Sequence, residues 1–197
     1  MKRIGRTLLV LVLLSAPALA AAQSNVRVRG TITAVDAETL TVKSRDGQDL
    51  KLKLADNLTV AAAKAMTLED LKPGDYVGVT AVRGADGAPM AREVHTIART
   101  VPEGHGPWDL EPGSTMTNAT IDAPVTASGN RELTLKYKGG SQTIRIPDGI
   151  PIVTQVPADR SYLKPGEYVF VSARKEPDGS LTALRVQVSK DGVRPPQ

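Results

Sequence analysis

From residue 26 onward, apolar and polar residues alternate at period two through most of the chain. Val26, Val28, Ile32 and Ala34 fall on one side of a first strand, and Leu40-Thr41-Val42 and Leu50-Lys51-Leu52-Lys53-Leu54 continue the alternation. Successive side chains of a pleated chain point to opposite faces, so this spacing predicts half-buried strands. The second and third are joined through Arg45-Asp46-Gly47-Gln48, whose Asp-Gly pair suits a tight hairpin. A short strand over 58–61 follows, and Thr67-Leu68-Glu69-Asp70-Leu71 reads as a brief helix capped by Thr67. Lys72-Pro73-Gly74-Asp75 ends it in a turn, proline fixing the second position and glycine free to take positive φ at the third. Strands over 76–82 and 90–97 close the unit around Asp86-Gly87.

The unit occurs twice. Leu71-Lys72-Pro73-Gly74-Asp75-Tyr76-Val77-Gly78-Val79 matches Leu163-Lys164-Pro165-Gly166-Glu167-Tyr168-Val169-Phe170-Val171 at an offset of 92. Asp86-Gly87, Ala91 and Val94 fall on Asp178-Gly179, Ala183 and Val186 at the same offset. Upstream, Leu40-Thr41-Val42-Lys43 matches Leu133-Thr134-Leu135-Lys136 at 93, and Thr31-Ile32 matches Thr120-Ile121 at 89. Insertions confined to turns are what a duplicated fold shows. The expected fold class is therefore mainly β: two tandem small OB-like β-barrels, each of three strands, a short helix and two strands. The expected boundaries are a first barrel over 23–98, a linker over 99–117, a second barrel over 118–190 and a tail over 191–197. A barrel of about 70 residues has a marginal core, so the two copies are expected to pack on each other.

The start of the chain changes the charge picture. Lys2, Arg3 and Arg6, the apolar run from Thr7 to Leu14 and the small residues Ala18 to Ala22 have the layout of a secretory signal peptide over 1–22. The run is broken by Ser15 and Pro17 and is too short for a membrane span. The whole chain has 25 basic and 21 acidic residues; without the three basic residues of the signal it has 22 against 21, or +1. A nearly neutral chain has no field to draw in nucleic acid. The expectation is thus an exported protein, periplasmic or secreted, that does not span the membrane and whose partner is an envelope protein or polymer. With no cysteine and only six aromatic residues, its core must be built of Val, Leu, Ile and Ala.

The block Leu-Lys-Pro-Gly-Asp/Glu-Tyr-Val, followed by Asp-Gly and by Ala and Val on the last strand, resembles a bacterial family of exported domains of unknown function built from OB-like β-barrel repeats. The resemblance covers both copies, about residues 26–189, and the segment from Pro107 to Asn118 is similar to that of two-repeat periplasmic members. It implies a fold and a compartment, and supplies no catalytic residues.

Candidate chemistry is sparse. The linker holds Glu103, His105, Trp108, Asp109, Glu111 and Met116, and His95 stands on the strand before it. Imidazole, thioether and carboxylate together suit copper or zinc, so His105, His95, Met116, Glu103 and Asp109 form a candidate metal set. The competing expectation is a connector whose Trp108 plugs one barrel, with His95 facing solvent, opposite the inward Val94. Lys43, Arg45, Lys51 and Lys53, with Lys136 and Lys138 in the second copy, form a candidate ligand face for a polyanion on the central strands, where OB-type barrels often bind. With two histidines, no cysteine and no nucleophile elbow or phosphate-binding glycine loop, the chain is expected to be a non-enzymatic binding or assembly module without a cofactor.

Overall fold

Twelve strands form among the described residues, 24–123 and 131–197, of the computed structural model. The expected signal peptide, 1–22, lies outside the described residues. In the first copy these are β1 (Ser24–Val35), β2 (Thr39–Ser44), β3 (Asp49–Ala65), β4 (Tyr76–Arg83) and β5 (Pro89–Thr96). The linker contributes β6 (Gly104–Pro107). The second copy supplies β7 (Thr115–Ala123), β8 (Glu132–Tyr137), β9 (Gly140–Arg145), β10 (Ile152–Ala158), β11 (Tyr168–Lys175) and β12 (Leu181–Val188).

Local departures from the sequence pattern have local causes. Ala34 is exposed rather than aligned with Val28 and Ile32, because a bulge after Ile32 shifts the register of β1 against β2. The expected strand over 58–61 is the continuation of β3, which runs unbroken for 17 residues. Its counterpart in the second copy is cut into β9 and β10 by Pro147 and Pro151. The expected helix at 67–71 is a single 3-10 turn, Leu68–Asp70, with a matching turn at Arg160–Tyr162. Asp70 accepts the Thr67 N–H at 2.8 Å, and Gly74 at φ 90° completes the predicted reversal.

The strand pairing does not follow the two copies. β1, β2 and β3 do not close with β4 and β5 of their own copy; β1 pairs with β11, and β12 pairs with β3 through a parallel ladder of seven residue pairs. The first ring, here the terminal barrel, is therefore β1-β2-β3-β12-β11. The central barrel is β7-β8-β9-β5-β4, closed by the bridge between Met90 and Arg145 and by the parallel pairs Ile152–Val94 and Val153–His95 between β10 and β5. Neither 23–98 nor 118–190 is a self-contained barrel: each copy gives three strands to one ring and two to the other. The ends of β3 and β10 pair antiparallel with each other between the two rings. Ala63 pairs with Gln155, its own counterpart at the offset of 92, so a pseudo-two-fold axis passes between them. The same symmetry relates Val60–Val186 on β3 and β12 to Ile152–Val94 on β10 and β5.

Each ring encloses one aliphatic core. Val28, Ile32, Leu40, Val42, Leu52, Val169, Val171 and Val186 fill the terminal barrel. Val77, Val79, Val94, Ile121, Leu133, Leu135 and Ile144 fill the central one. Leu40 and Leu133 are both fully buried, as are Val79 and Val171, so the duplicated apolar rows keep equivalent surroundings in opposite rings. Removing such a side chain from water contributes about 1.5–3 kcal/mol.

Candidate functional site

β4 is buried on both faces from Tyr76 to Ala81. One face is the central core; the other looks toward the terminal barrel across the pseudo-two-fold. Between the barrels lies a cleft of about 390 Å³. The central barrel and its flanks supply His95, Thr96, Met116 and Asn118, the linker supplies Trp108, and β10 supplies Gln155 near the axis. The terminal barrel supplies Arg27, Phe170, Ser172, Arg185 and Gln187, and the tail covers one side with Pro196 and Gln197.

His95 points away from the core of its barrel, as its alternation with Val94 requires, yet it is only 8% exposed, because that outer face is covered by the second barrel. The expectation that it faces solvent is thus corrected. Its imidazole lies over Gly78, where a Cβ atom would stand 2.6 Å from Nε2, and its Nδ1 is buried with no hydrogen-bond partner. Burial, with the nearby Arg185 charge, pushes its pKa down to about 4, so the ring is neutral. Gln187 occupies the corresponding place in the second copy. Its Oε1 accepts from Gln155 Nε2 at 2.7 Å, and Gln155 Oε1 accepts from Arg185 at 2.5 Å.

Glu93 is the counterpart of Arg185 and is 4% exposed. Burial pushes its pKa up to about 7, against the Gln197 N–H, the Thr80 hydroxyl and the Arg29 charge. Gln197 N donates to both carboxylate oxygens at 3.0 Å. The Gln197 carbonyl accepts from the Trp108 indole at 2.8 Å, and its side chain meets the Tyr168 hydroxyl at 3.0 Å. A reversal at Asp191-Gly192, both at positive φ, sends the tail on this course after β12, and Pro195 and Pro196 are buried along it.

The linker is not a passive connector, and Trp108 plugs neither barrel. The Trp108 ring lies under the Arg27 guanidinium at 4.2 Å, on the outside of the terminal barrel. Arg29 donates to Asp109 at 2.7 Å, and Arg45 donates to the Leu110 carbonyl at 2.9 Å. Burial works to raise the Asp109 carboxyl, but the Arg29 hydrogen bond and the charges of Arg29 and Arg27 outweigh it and hold it below the usual range. Arg45, expected on a ligand face, is thus engaged in docking the linker.

The five candidate metal ligands divide among four places. His95 and Met116 share the cleft. His105 pairs with Thr117 across β6 and β7, which puts it on the face opposite Met116, where it meets Thr117 and Gln142 at 2.9 and 3.0 Å. Glu103 accepts from the Lys138 N–H at 3.0 Å, and Asp109 is bound by Arg29. Among the described residues no three His, Asp or Glu side chains converge on one point. Of the candidate lysines, Lys43, Lys51 and Lys53 are exposed on the terminal barrel, whereas Lys136 and Lys138 flank a shallow depression beside Glu103 and Asp122 on the central one. The two sets do not form one face.

Arg27, Gln155, Phe170, Arg185 and Gln187 were not legible as site residues. The available signal was β4: a run of six residues, Tyr76 to Ala81, whose alternate positions Gly78 and Thr80 are too small or too uncharged for an exposed strand face. No helix among the described residues is long and apolar enough to cross a membrane. No curated protein and no solved structure matches the chain. The profile of one family, described as a domain of unknown function (DUF5666), matches residues 29–95 and again 123–187. These matches follow the sequence copies, not the rings, and cover most of the chain, which belongs to the DUF5666 family with two domains whose strands are exchanged.

Proposed function

We propose that the protein is a non-enzymatic binding module of the bacterial cell envelope, exported by the signal peptide over 1–22, and that its ligand occupies the cleft between the barrels. The observation that carries this reading is the composition of that cleft. About 390 Å³ of space is walled by Trp108 and Phe170 together with Arg185, Gln187, Asn118 and a neutral His95. Small-molecule sites have this character: an apolar body with a few polar groups, in a space of roughly 300–1,000 Å³, at the junction of structural units. Each ring, with its order of first, second, third, fifth and fourth strand, is read as OB-like, with the last two strands taken from the other copy. The cleft thus differs from the usual binding face of such barrels on their second and third strands, where Lys43, Lys51 and Lys53 stand.

Trp108 is the only tryptophan of the chain and lines the cleft, so its fluorescence reports occupancy. Titration with small-molecule fractions of an envelope extract is expected to shift that emission and raise the melting temperature. The thermal response should disappear when Ser172→Trp fills the space in a Trp108→Phe background, where Trp108→Phe alone retains it. Full retention of the thermal response in the filled variant would refute the reading. A copper or zinc accessory role, the alternative, has His95 and Met116 together in the cleft, short of the three or four ligands that metal sites usually need. Equilibrium dialysis against either metal, repeated with His95→Gln, tests it: stoichiometric uptake lost in the variant supports the metal.

A further inference from the structure

We infer that the cleft selects a small organic anion, a carboxylate carried on a flat apolar body. This rests on the cleft being the ligand site and adds the class of ligand. Two arginines, Arg27 and Arg185, stand on its wall, and none of its lining side chains is acidic. In a chain whose mature net charge is close to zero, that is a local positive field in a partly enclosed space, where charge interactions are strengthened.

The arginines differ in readiness. Arg27 lies over Trp108 and is 3.6 Å from Asp109, so its charge is partly answered. Arg185 has no carboxylate within 4.0 Å among the described residues. One of its five N–H donors goes to Gln155 Oε1 at 2.5 Å, and Gln155 is held in turn by Gln187. A half-buried guanidinium oriented by a neutral amide, with its remaining donors unspent, is arranged to take a carboxylate through two parallel hydrogen bonds. Trp108 and Phe170 offer the apolar surface for a ring.

The tail completes the selectivity. Glu93, the counterpart of Arg185 in the other copy, would bring an acid to the same interface. Gln197 covers it instead, its N–H on both carboxylate oxygens, and Glu93 is absent from the cleft wall. The tail thus keeps the acid of one copy off the wall that carries the arginine of the other.

The test uses the mature chain and three probes of one shape: benzoate, benzamide and benzylammonium. Binding is followed by Trp108 fluorescence and by calorimetry at two salt concentrations. Benzoate is expected to bind at least tenfold more tightly than the other two, more weakly at high salt. Arg185→Gln should lower benzoate affinity at least tenfold and leave benzamide within twofold, which also shows that the variant is folded. Benzamide or benzylammonium binding as well as benzoate, with Ser172→Trp abolishing all three, would overturn the anion inference and keep the cleft as the site. Benzoate binding that survives Ser172→Trp, or no response to any probe, would overturn both.

Discussion

The terminal and central barrels have the same interior and different exteriors. Leu40, Val42, Val171 and Val186 in one correspond to Leu133, Leu135, Val79 and Val94 in the other, all buried. On the faces that meet across the axis the correspondence fails: Glu93, His95 and Gly78 stand against Arg185, Gln187 and Phe170. Closure differs as well, by seven residue pairs between β12 and β3 in the terminal ring and by three between β5 and the corresponding β9 and β10 at the central ring. The interior positions are fixed by packing, which punishes any change of volume. The facing positions are free to diverge, because their partner is a different surface in each copy. Asymmetry between duplicated units thus collects where the units look at each other, and the cleft lies there.

The largest effect should come from separating the copies. If strand exchange holds the rings together, a chain of 24–98 and a chain of 114–197 each lack two strands of one ring and three of the other. Each alone is expected to be unfolded or self-associated, and mixing them should restore a one-to-one complex with native circular dichroism. A stable monomer from either half would show that a copy can close on itself.

Next come the cores. Leu40→Ala and Leu133→Ala should each destabilise by about 2–5 kcal/mol, the range for voids at buried leucines. Leu40→Ala should be the larger, because the long ladder keeps the terminal ring from collapsing onto the void. Denaturant melts compare the two, and a clearly larger loss at Leu133 would contradict the difference in closure.

The facing residues predict opposite responses to pH. The Glu93 carboxyl stays protonated in the folded chain up to about 7 and loses its proton near 4.5 when unfolded. Its contribution is therefore fully present below 4.5 and is lost as pH rises through 7. His95 stays neutral in the folded chain down to about 4 and takes up a proton near 6.5 when unfolded. Its contribution is present above 6.5 and is lost as pH falls through 4. Between 4.5 and 6.5 the two slopes cancel. Glu93→Gln should leave stability rising with pH in that window, and His95→Gln should leave it falling, each by about 3 kcal/mol at most. Unfolding titrations at pH 4.5, 5.5 and 6.5 read the sign directly; slopes of equal sign in the two variants would refute the assignment.

The smallest effect concerns Gly78. Alanine there puts a Cβ atom on the His95 ring and should cost about 1–3 kcal/mol. Combining it with His95→Gln, the residue of the other copy, should recover part of that loss. An additive double variant would mean that ring and glycine do not press on each other.

Most of the strands were legible, because alternation and the Asp-Gly and Pro-Gly turns are local signals. The duplication was legible too, down to the matching of Leu40 with Leu133. The exchange was not. Val60, Ala61 and Ala62 read the same in the sequence whether their partner is β5 or β12, since an apolar pattern sets burial and not the identity of the neighbouring strand. The cleft was lost for the same reason. His95 was correctly turned away from its own core, and only the position of the other barrel makes that direction an interior one.

The pairing of β1, β2 and β3 with strands of the other copy has a consequence for assembly in time. The central ring draws its strands from the stretch between Tyr76 and Arg145, and can close while the rest of the chain is still emerging from the ribosome. The three strands before it must wait for β11 and β12, which begin only at Tyr168. Contacts so distant along the chain form slowly, and until they do, both edges of that sheet are open to any other strand.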